Sequence, residues 1–266
     1  MPISSKLIAP IIDLNCDMGE GFENEIMLMP FISSANIACG FHAGDEDSIK
    51  NTIELAMKHG VAIGAHPSYD DRENFGRESH LISLLEMAEL IADQIYLFEK
   101  VANPMGAKLH HIKLHGALYN DCAKDPALSK IFIQTIQAIN PELIVYGLSG
   151  SHTIQQAILL GQPFSNEAFA DRTYQLSGQL TPRYMDNAMI NDPSQACDQV
   201  LRMIIDNKVA TLNGEDINIE ADTICIRRES SRTMRSHAAV VWNVLPERCR
   251  APGCLQTTTT TTTTTT

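Results

Sequence analysis

The chain has 266 residues, 44% hydrophobic and 20% charged, with a formal net charge of −12. That length suits one large soluble domain or two small ones, and the acidic balance excludes a nucleic-acid face, which needs clustered Lys and Arg. No stretch reaches the roughly 18 apolar residues of a membrane-spanning helix, and the start, MPISSKLIAP, is too short and too polar for a secretory signal.

Periodicity sets out the elements in order. IIDLN (residues 11–15) and SANIAC (residues 34–39) read as strands. Residues 45–59 place Ile49, Ile53 and Ala56 on one helical face, open with acidic residues and stop at Gly60. VAIGA (residues 61–65) is a third strand, followed by a long amphipathic helix over residues 82–102. HHIKLHG (residues 110–116) reads as a strand and residues 126–139 as a helix. LIVYG (residues 143–147), a helix over residues 151–161 and NEAFA (residues 166–170) continue the alternation. A helix over residues 193–207 precedes VATLNGEDINI (residues 209–219), whose Asn213-Gly214 pair predicts a tight hairpin. TICI (residues 223–226) is the last apolar run. Strand–helix alternation of this kind predicts an α/β protein with a mainly parallel sheet. About seven units without a composition break favour a closed β/α barrel over two domains, with an open doubly wound sheet as the alternative.

Polar residues fall where those strands end. Asp13, Asn15 and Asp17 share a face if the first strand continues through them. His42 and Asp45 follow the second strand and His66 the third. Lys113 and His115 close the fourth, and Glu167, Asp171 and Arg172 lie on or after the sixth. A parallel barrel opens all its strand carboxyl ends on one face, where catalytic groups gather. The recurrence of titratable groups at strand ends is therefore the residue-level argument for an enzyme.

Each group also has a plainer reading. Asp45 fits a helix N-cap, His42 a hydrogen-bonded structural histidine, and Asp13 and Asp17 turn-formers in the glycine-rich loop. Of His110 and His111, one is expected in the core and one in solvent. His59, His80 and His152 read as helix-end or loop surface residues. Lys113 in an apolar strand is costly to bury unpaired, so Lys113 and His115 point to function most strongly. His42, His66 and His115 with a carboxylate suit a metal site of the Asp-His-His type, with Asp17, His42 and His66 as first candidates. They suit a metal-free acid/base network equally. No phosphate loop, G-x-S-x-G elbow or H-E-x-x-H helix is present. The seven cysteines are scattered and form no CxxC pair, which predicts reduced thiols in a cytoplasmic protein.

The segments DLNCDMGEGF, SANIACGFHAGD, GAHPSYDD…FGR, KLHGALYN and FADRTY…G…TPR, in this order, resemble the LamB/YcsF family over residues 11–226. Its bacterial members are assigned as the A subunit of ATP-dependent 5-oxoprolinase. The resemblance implies an irregular, seven-stranded TIM-like β/α barrel of the glycoside hydrolase and deacetylase class. It implies hydrolysis of 5-oxo-L-proline to L-glutamate driven by ATP, with subunits B and C as partners and the ATP site shared with them or on them. A divalent metal is compatible with it.

Carried over by position, the matching residues are Asp13, Asn15, Asp17, Glu20, His42, Asp45, His66, Asp70, Lys113, His115, Asn120, Asp171 and Arg172. Within that reading Asp17, His42 or His66 activates water, and Lys113 or Arg172 holds the substrate carboxylate or a phosphate. His115 protonates the departing ring nitrogen. Replacing His66 or Lys113 with alanine is expected to abolish turnover and leave the fold intact. The remaining residues of the carried-over set are expected to bind substrate. Two other functions compete: a self-sufficient metal-dependent amidase or deacetylase, and a non-catalytic lactam-binding subunit.

From Arg227 the chain departs from the family pattern. The expected Cys-Val-His-Gly-Asp-type motif gives way to arginine-rich sequence and ten threonines. A frameshift near codon 227 explains both, because a histidine tag of CAC codons read one base out of frame becomes ACC, threonine. A natural divergent tail is the alternative. Either way, residues 1–226 are expected to form one barrel domain and residues 227–266 to be poorly ordered.

Overall fold

The computed structural model describes residues 12–22 and 25–226. The tail expected at residues 227–266 lies outside them. Seven parallel strands close into a barrel in the order β1 (Asp13–Met18), β2 (Ser34–Ala38), β3 (Ala62–His66), β4 (Leu109–Lys113), β5 (Ile144–Leu148), β6 (Phe164–Phe169) and β9 (Thr223–Cys225). The last strand lies between β6 and β1, with Asn15 opposite Cys225 and Phe169 opposite the same residue. That closure rules out the open doubly wound sheet.

Helices pack around the barrel and start where local chemistry directs. In α2 (Glu46–His59), Asp45 and Ser48 form a reciprocal capping box, acidic residues fill the first turn, and Gly60 ends the helix at φ 67°. A second box, Ser83 with Glu86, opens α3 (Leu84–Ala102). Asp125 and Asp192 cap α5 (Pro126–Ile139) and α7 (Pro193–Asp206), each with proline at the first helical position. The apolar faces, including Ile53, Phe98, Phe132 and Ile136, are buried and form the layer between helices and barrel.

The fold corrects the sequence expectations in three places. Strand β1 runs to Met18, so Asp17 belongs to the strand and not to the glycine-rich turn. Strand β4 stops at Lys113, and an unforeseen helix, α4 (Gly116–Lys124), follows. Gly116 makes that start possible: it sits at φ +57°, and a Cβ there would lie 2.2 Å from the Gly76 carbonyl. The pair β7 (Lys208–Ala210) and β8 (Asp216–Asn218) is a hairpin, but residues 211–215 connect it. Gly214 has positive φ and Asn213 does not, so the two-residue primed turn does not form.

The barrel interior is a hydrogen-bonded polar ladder. Asp13, at the amino-terminal end, accepts from Ser33, Ser34 and Thr223. Asn15 sits above it, donating to Thr223 at 2.7 Å and accepting from Asn36 at 2.8 Å. His111 bonds Asn36 at 2.8 Å and stacks on Tyr146. Gly64 gives its ring room, since a Cβ there would stand 2.1 Å from His111 Nε2. His110 is exposed and His111 buried, as the sequence predicts.

Candidate active site

At the carboxyl ends of the strands a cavity of about 340 Å³ is lined by Asp17, His66, Lys113, His115, Asn120 and Arg172, with Tyr119 and Cys225 among the others. Lys113 is among the lining residues, with a side chain 3% exposed. Its Nζ lies 2.9 Å from Asp17 Oδ1, 2.7 Å from Glu167 Oε1 and 3.1 Å from Asn15 Oδ1. Burial pulls this ammonium's pKa down, but the Asp17 and Glu167 carboxylates more than reverse that and raise it well above the usual lysine value. Burial likewise pushes the Asp17 carboxyl up, and His66 and Lys113 outweigh it, holding Asp17 well below the usual carboxylate range. Both groups are therefore charged at neutral pH.

Beside this ion-pair network lies a second cluster. One ligand-type atom each from Glu20, His42, His66 and His115 lies within 4.8 Å of the others. The outer ring nitrogens fix the tautomers. His66 Nδ1 donates to the Lys113 carbonyl at 2.7 Å, and His115 Nε2 donates to the Phe75 carbonyl at 3.0 Å. His42 Nδ1 faces Ser68 Oγ at 2.9 Å, and that hydroxyl already donates to the Tyr69 carbonyl, so the imidazole is the donor. Burial lowers the His42 pKa and, together with His42 and His66, takes His115 well below the usual histidine value.

The inner nitrogens therefore turn lone pairs toward one another. His115 Nδ1 is 2.9 Å from His66 Nε2, and Glu20 Oε1 lies 3.3 Å from His42, 3.5 Å from His115 and 3.9 Å from His66. Four acceptors facing one another need a proton or a cation between them. This donor set fits a divalent metal, with outer-shell acceptors orienting all three imidazoles.

The structure divides the carried-over residues. Asp17, His66, Lys113, His115, Asn120 and Arg172 line the cavity, and Glu20 and His42 complete the histidine cluster. Asp13 and Asn15 belong to the barrel ladder below it. Asp70 is exposed, whereas its neighbour Asp71 is buried, accepting from Asn74 and facing His80 at 3.5 Å. Asp171 is buried and does not line the cavity. Arg172 donates to the Thr181 and Ala188 carbonyls and so holds the segment that roofs the cavity.

Asp45 is exposed and engaged as the α2 cap. Asp45→Ala is therefore expected to lower the melting temperature slightly and leave substrate affinity unchanged. Loss of turnover at an unchanged melting temperature would return Asp45 to the site.

Glu167 was one of the titratable groups at the strand ends and Tyr119 lies in the KLHGALYN segment, but neither received a specific role from the sequence. Glu167 is fully buried against Lys113, and a carboxylate inside the apolar run NEAFA was the available signal. Tyr119 sits on α4, the helix that periodicity missed. Arg77 and Arg183 at the cavity edge close the FGR and TPR segments of the quoted motifs but received no role, and Lys124 carried no sequence signal.

With this geometry in hand, comparison with known proteins places the chain. The LamB/YcsF family profile matches residues 12–252. A Bordetella pertussis protein named as the 5-oxoprolinase A subunit is 47% identical over 222 residues, covering 82% of this chain and 88% of its own. A Brevibacillus brevis protein of the same name is 45% identical over 228 residues, covering 84% and 90%. The crystal structure of a lactam utilization protein from Thermus thermophilus superposes with a TM-score of 0.82 at 35% identity, covering 88% of this chain and 95% of that one. No helix among the described residues is long and apolar enough to cross a membrane. The seven-stranded barrel, the five ordered motifs and these matches place the chain in the LamB/YcsF family.

Proposed function

We propose that this chain is the A subunit of an ATP-dependent 5-oxoprolinase and opens the lactam ring of 5-oxoproline in the cavity above Lys113. The observation that carries the reading is the contrast between floor and edge. Arg77, Lys124 and Arg183 stand around the opening of a chain with net charge −12, which suits capture of a small carboxylate. Its volume is at the small-ligand end of binding pockets. The names of the curated relatives support the same substrate class.

A five-membered lactam is a stable amide, and ATP makes its opening favourable. Phosphorylation of the amide oxygen gives an imidate-like carbon that water attacks. The C–N bond then breaks as the ring nitrogen takes a proton, leaving an acyl phosphate, and a second water hydrolyses that to phosphate and the glutamate carboxylate. Subunits B and C are the proposed partners in the phosphorylation.

The residues present suggest a division of labour. Asp17 is ionised and its side chain is 24% exposed, so it accepts a hydrogen bond from water at the cavity floor and orients it. Its depressed pKa makes it a weak proton acceptor, which leaves it an orienting group. Lys113 is matched by two carboxylates, and its role is to hold Asp17 and Glu167 in place. The N–H of His115 is committed to Phe75, so His115 has no proton aimed at the cavity. We assign it instead, with Glu20, His42 and His66, to binding a divalent metal. Three carboxylates against one ammonium leave the inner site formally anionic, which favours such an ion. When bound, the ion would supply Lewis acidity and lower the pKa of an attached water.

Glutamate release from 5-oxoproline and ATP tests the reading. It is expected from this chain mixed with purified subunits B and C and not from the chain alone. A silent complete mixture would overturn the substrate assignment. The histidine cluster favours one other reading, a self-sufficient metal-dependent amidase. Ring opening by the metal-loaded chain without ATP or partners would select it.

A further inference from the structure

We propose that the turn at residues 149–152, between β5 and α6 (His152–Leu160), binds a phosphate group. The turn joins the carboxyl end of a barrel strand to a helix N-terminus, where free amides and the helix dipole favour an anion. Four other helices have caps whose side chains bond first-turn amides: Asp45, Ser83, Asp125 and Asp192. Ser151 is the cap of α6 and makes no such bond. Its hydroxyl has no hydrogen-bond partner among the described residues, although the residue is only 8% exposed. A buried hydroxyl left unmatched is costly unless something else completes it.

That residue lines a separate cavity of about 200 Å³, together with Ser149, Gly150, His152, Ser177 and Gly178. Gly150 has φ +74°, and no atom lies within 4 Å of the position a Cβ would take. The chain carries 32 acidic residues, yet no carboxylate side chain lines this cavity. The Ser149 and Ser151 amides already donate to the Glu167 and Leu148 carbonyls, so the donors offered to a phosphate oxyanion are the Gly150 amide, the first-turn amides of α6 and the hydroxyls, with no negative charge beside them. Residues 177–179 continue directly into residues 180–184, which line the cavity above Lys113. A phosphate held here would therefore neighbour the reaction space. Only its identification with a nucleotide phosphate rests on the ATP-dependent reading.

The test is a titration of the full chain with inorganic phosphate, ATP and adenosine, read on the amide resonances of Gly150 and Ser151. Saturable shifts with phosphate are expected, with ATP binding tighter than phosphate and adenosine causing none. Ser151→Asp places a carboxylate in the turn and caps the helix. It should weaken phosphate binding by at least about tenfold while the melting temperature holds or rises. Absent shifts with both phosphate and ATP, or unchanged affinity in Ser151→Asp, would overturn the site. Phosphate binding with ATP no tighter would uphold the phosphate site and reject its nucleotide role. None of these readouts depends on glutamate release.

Discussion

Replacing Lys113 with methionine is expected to cost about 3–5 kcal/mol of folding stability, a large share of the roughly 5–15 kcal/mol available to a typical domain. The side chain is similar in length, so loss of charge dominates over loss of packing. Glu167, fully buried, would face Asp17 without the ammonium that lies 2.7 Å and 2.9 Å from them. Asp17 is 24% exposed and can recover hydration; Glu167 at 0% cannot. The penalty therefore falls on Glu167, and the double variant Lys113→Met with Glu167→Gln should regain a substantial part of the loss. Urea unfolding at pH 7 measures both. A single variant within about 0.5 kcal/mol of the wild type would show that the network does not carry this energy. The expectation that Lys113→Ala spares the fold is revised on the same physics. Turnover regained by a folded double variant would remove Lys113 from the chemistry altogether.

The sequence carried most of the architecture because barrel strands and their helices leave strong periodic signals. Asp45 was legible as a helix cap, and Ser83, Asp125 and Asp192 cap their helices by the same kind of bond. Helix α4 escaped because His115 makes no capping bond and nine residues give little periodicity. Alternation placed Asp13, Asn15 and Asp17 on one face, and the structure agrees. Alternation cannot say which end of that face is open, so three residues of one pattern divide into ladder and site. The histidine cluster was only partly legible. Its members come from the end of β3 and from the segments after β1, β2 and β4, and no spacing rule links ligands that only barrel closure brings together. Asp17 looked the natural carboxylate partner for His42 and His66. Asp17 does lie 3.4 Å from His66 Nε2, but Lys113 and Asn36 hold it, and Glu20 is the carboxylate that faces all three imidazoles.

That substitution of one carboxylate for another sets the second large effect. The purified chain, never exposed to chelator, is expected to retain about one divalent first-row metal ion, with zinc the best match to three imidazoles and a carboxylate. Elemental analysis after gel filtration measures it. Glu20→Gln and His42→Ala should each remove most of the metal, whereas Asp17→Asn should keep it. Ser68→Ala removes the acceptor that fixes the His42 tautomer and should weaken metal affinity by about 10–100-fold without touching a ligand. Metal at trace level in the wild type, with no uptake on adding zinc, would leave a proton as the species between the four acceptors. In that case His66 Nε2 is the atom placed to hold it, between His115 at 2.9 Å and Asp17 at 3.4 Å. Asp17→Asn separates the two cases: it removes the carboxylate 3.4 Å from His66 Nε2, while a metal held by Glu20 and three histidines would remain.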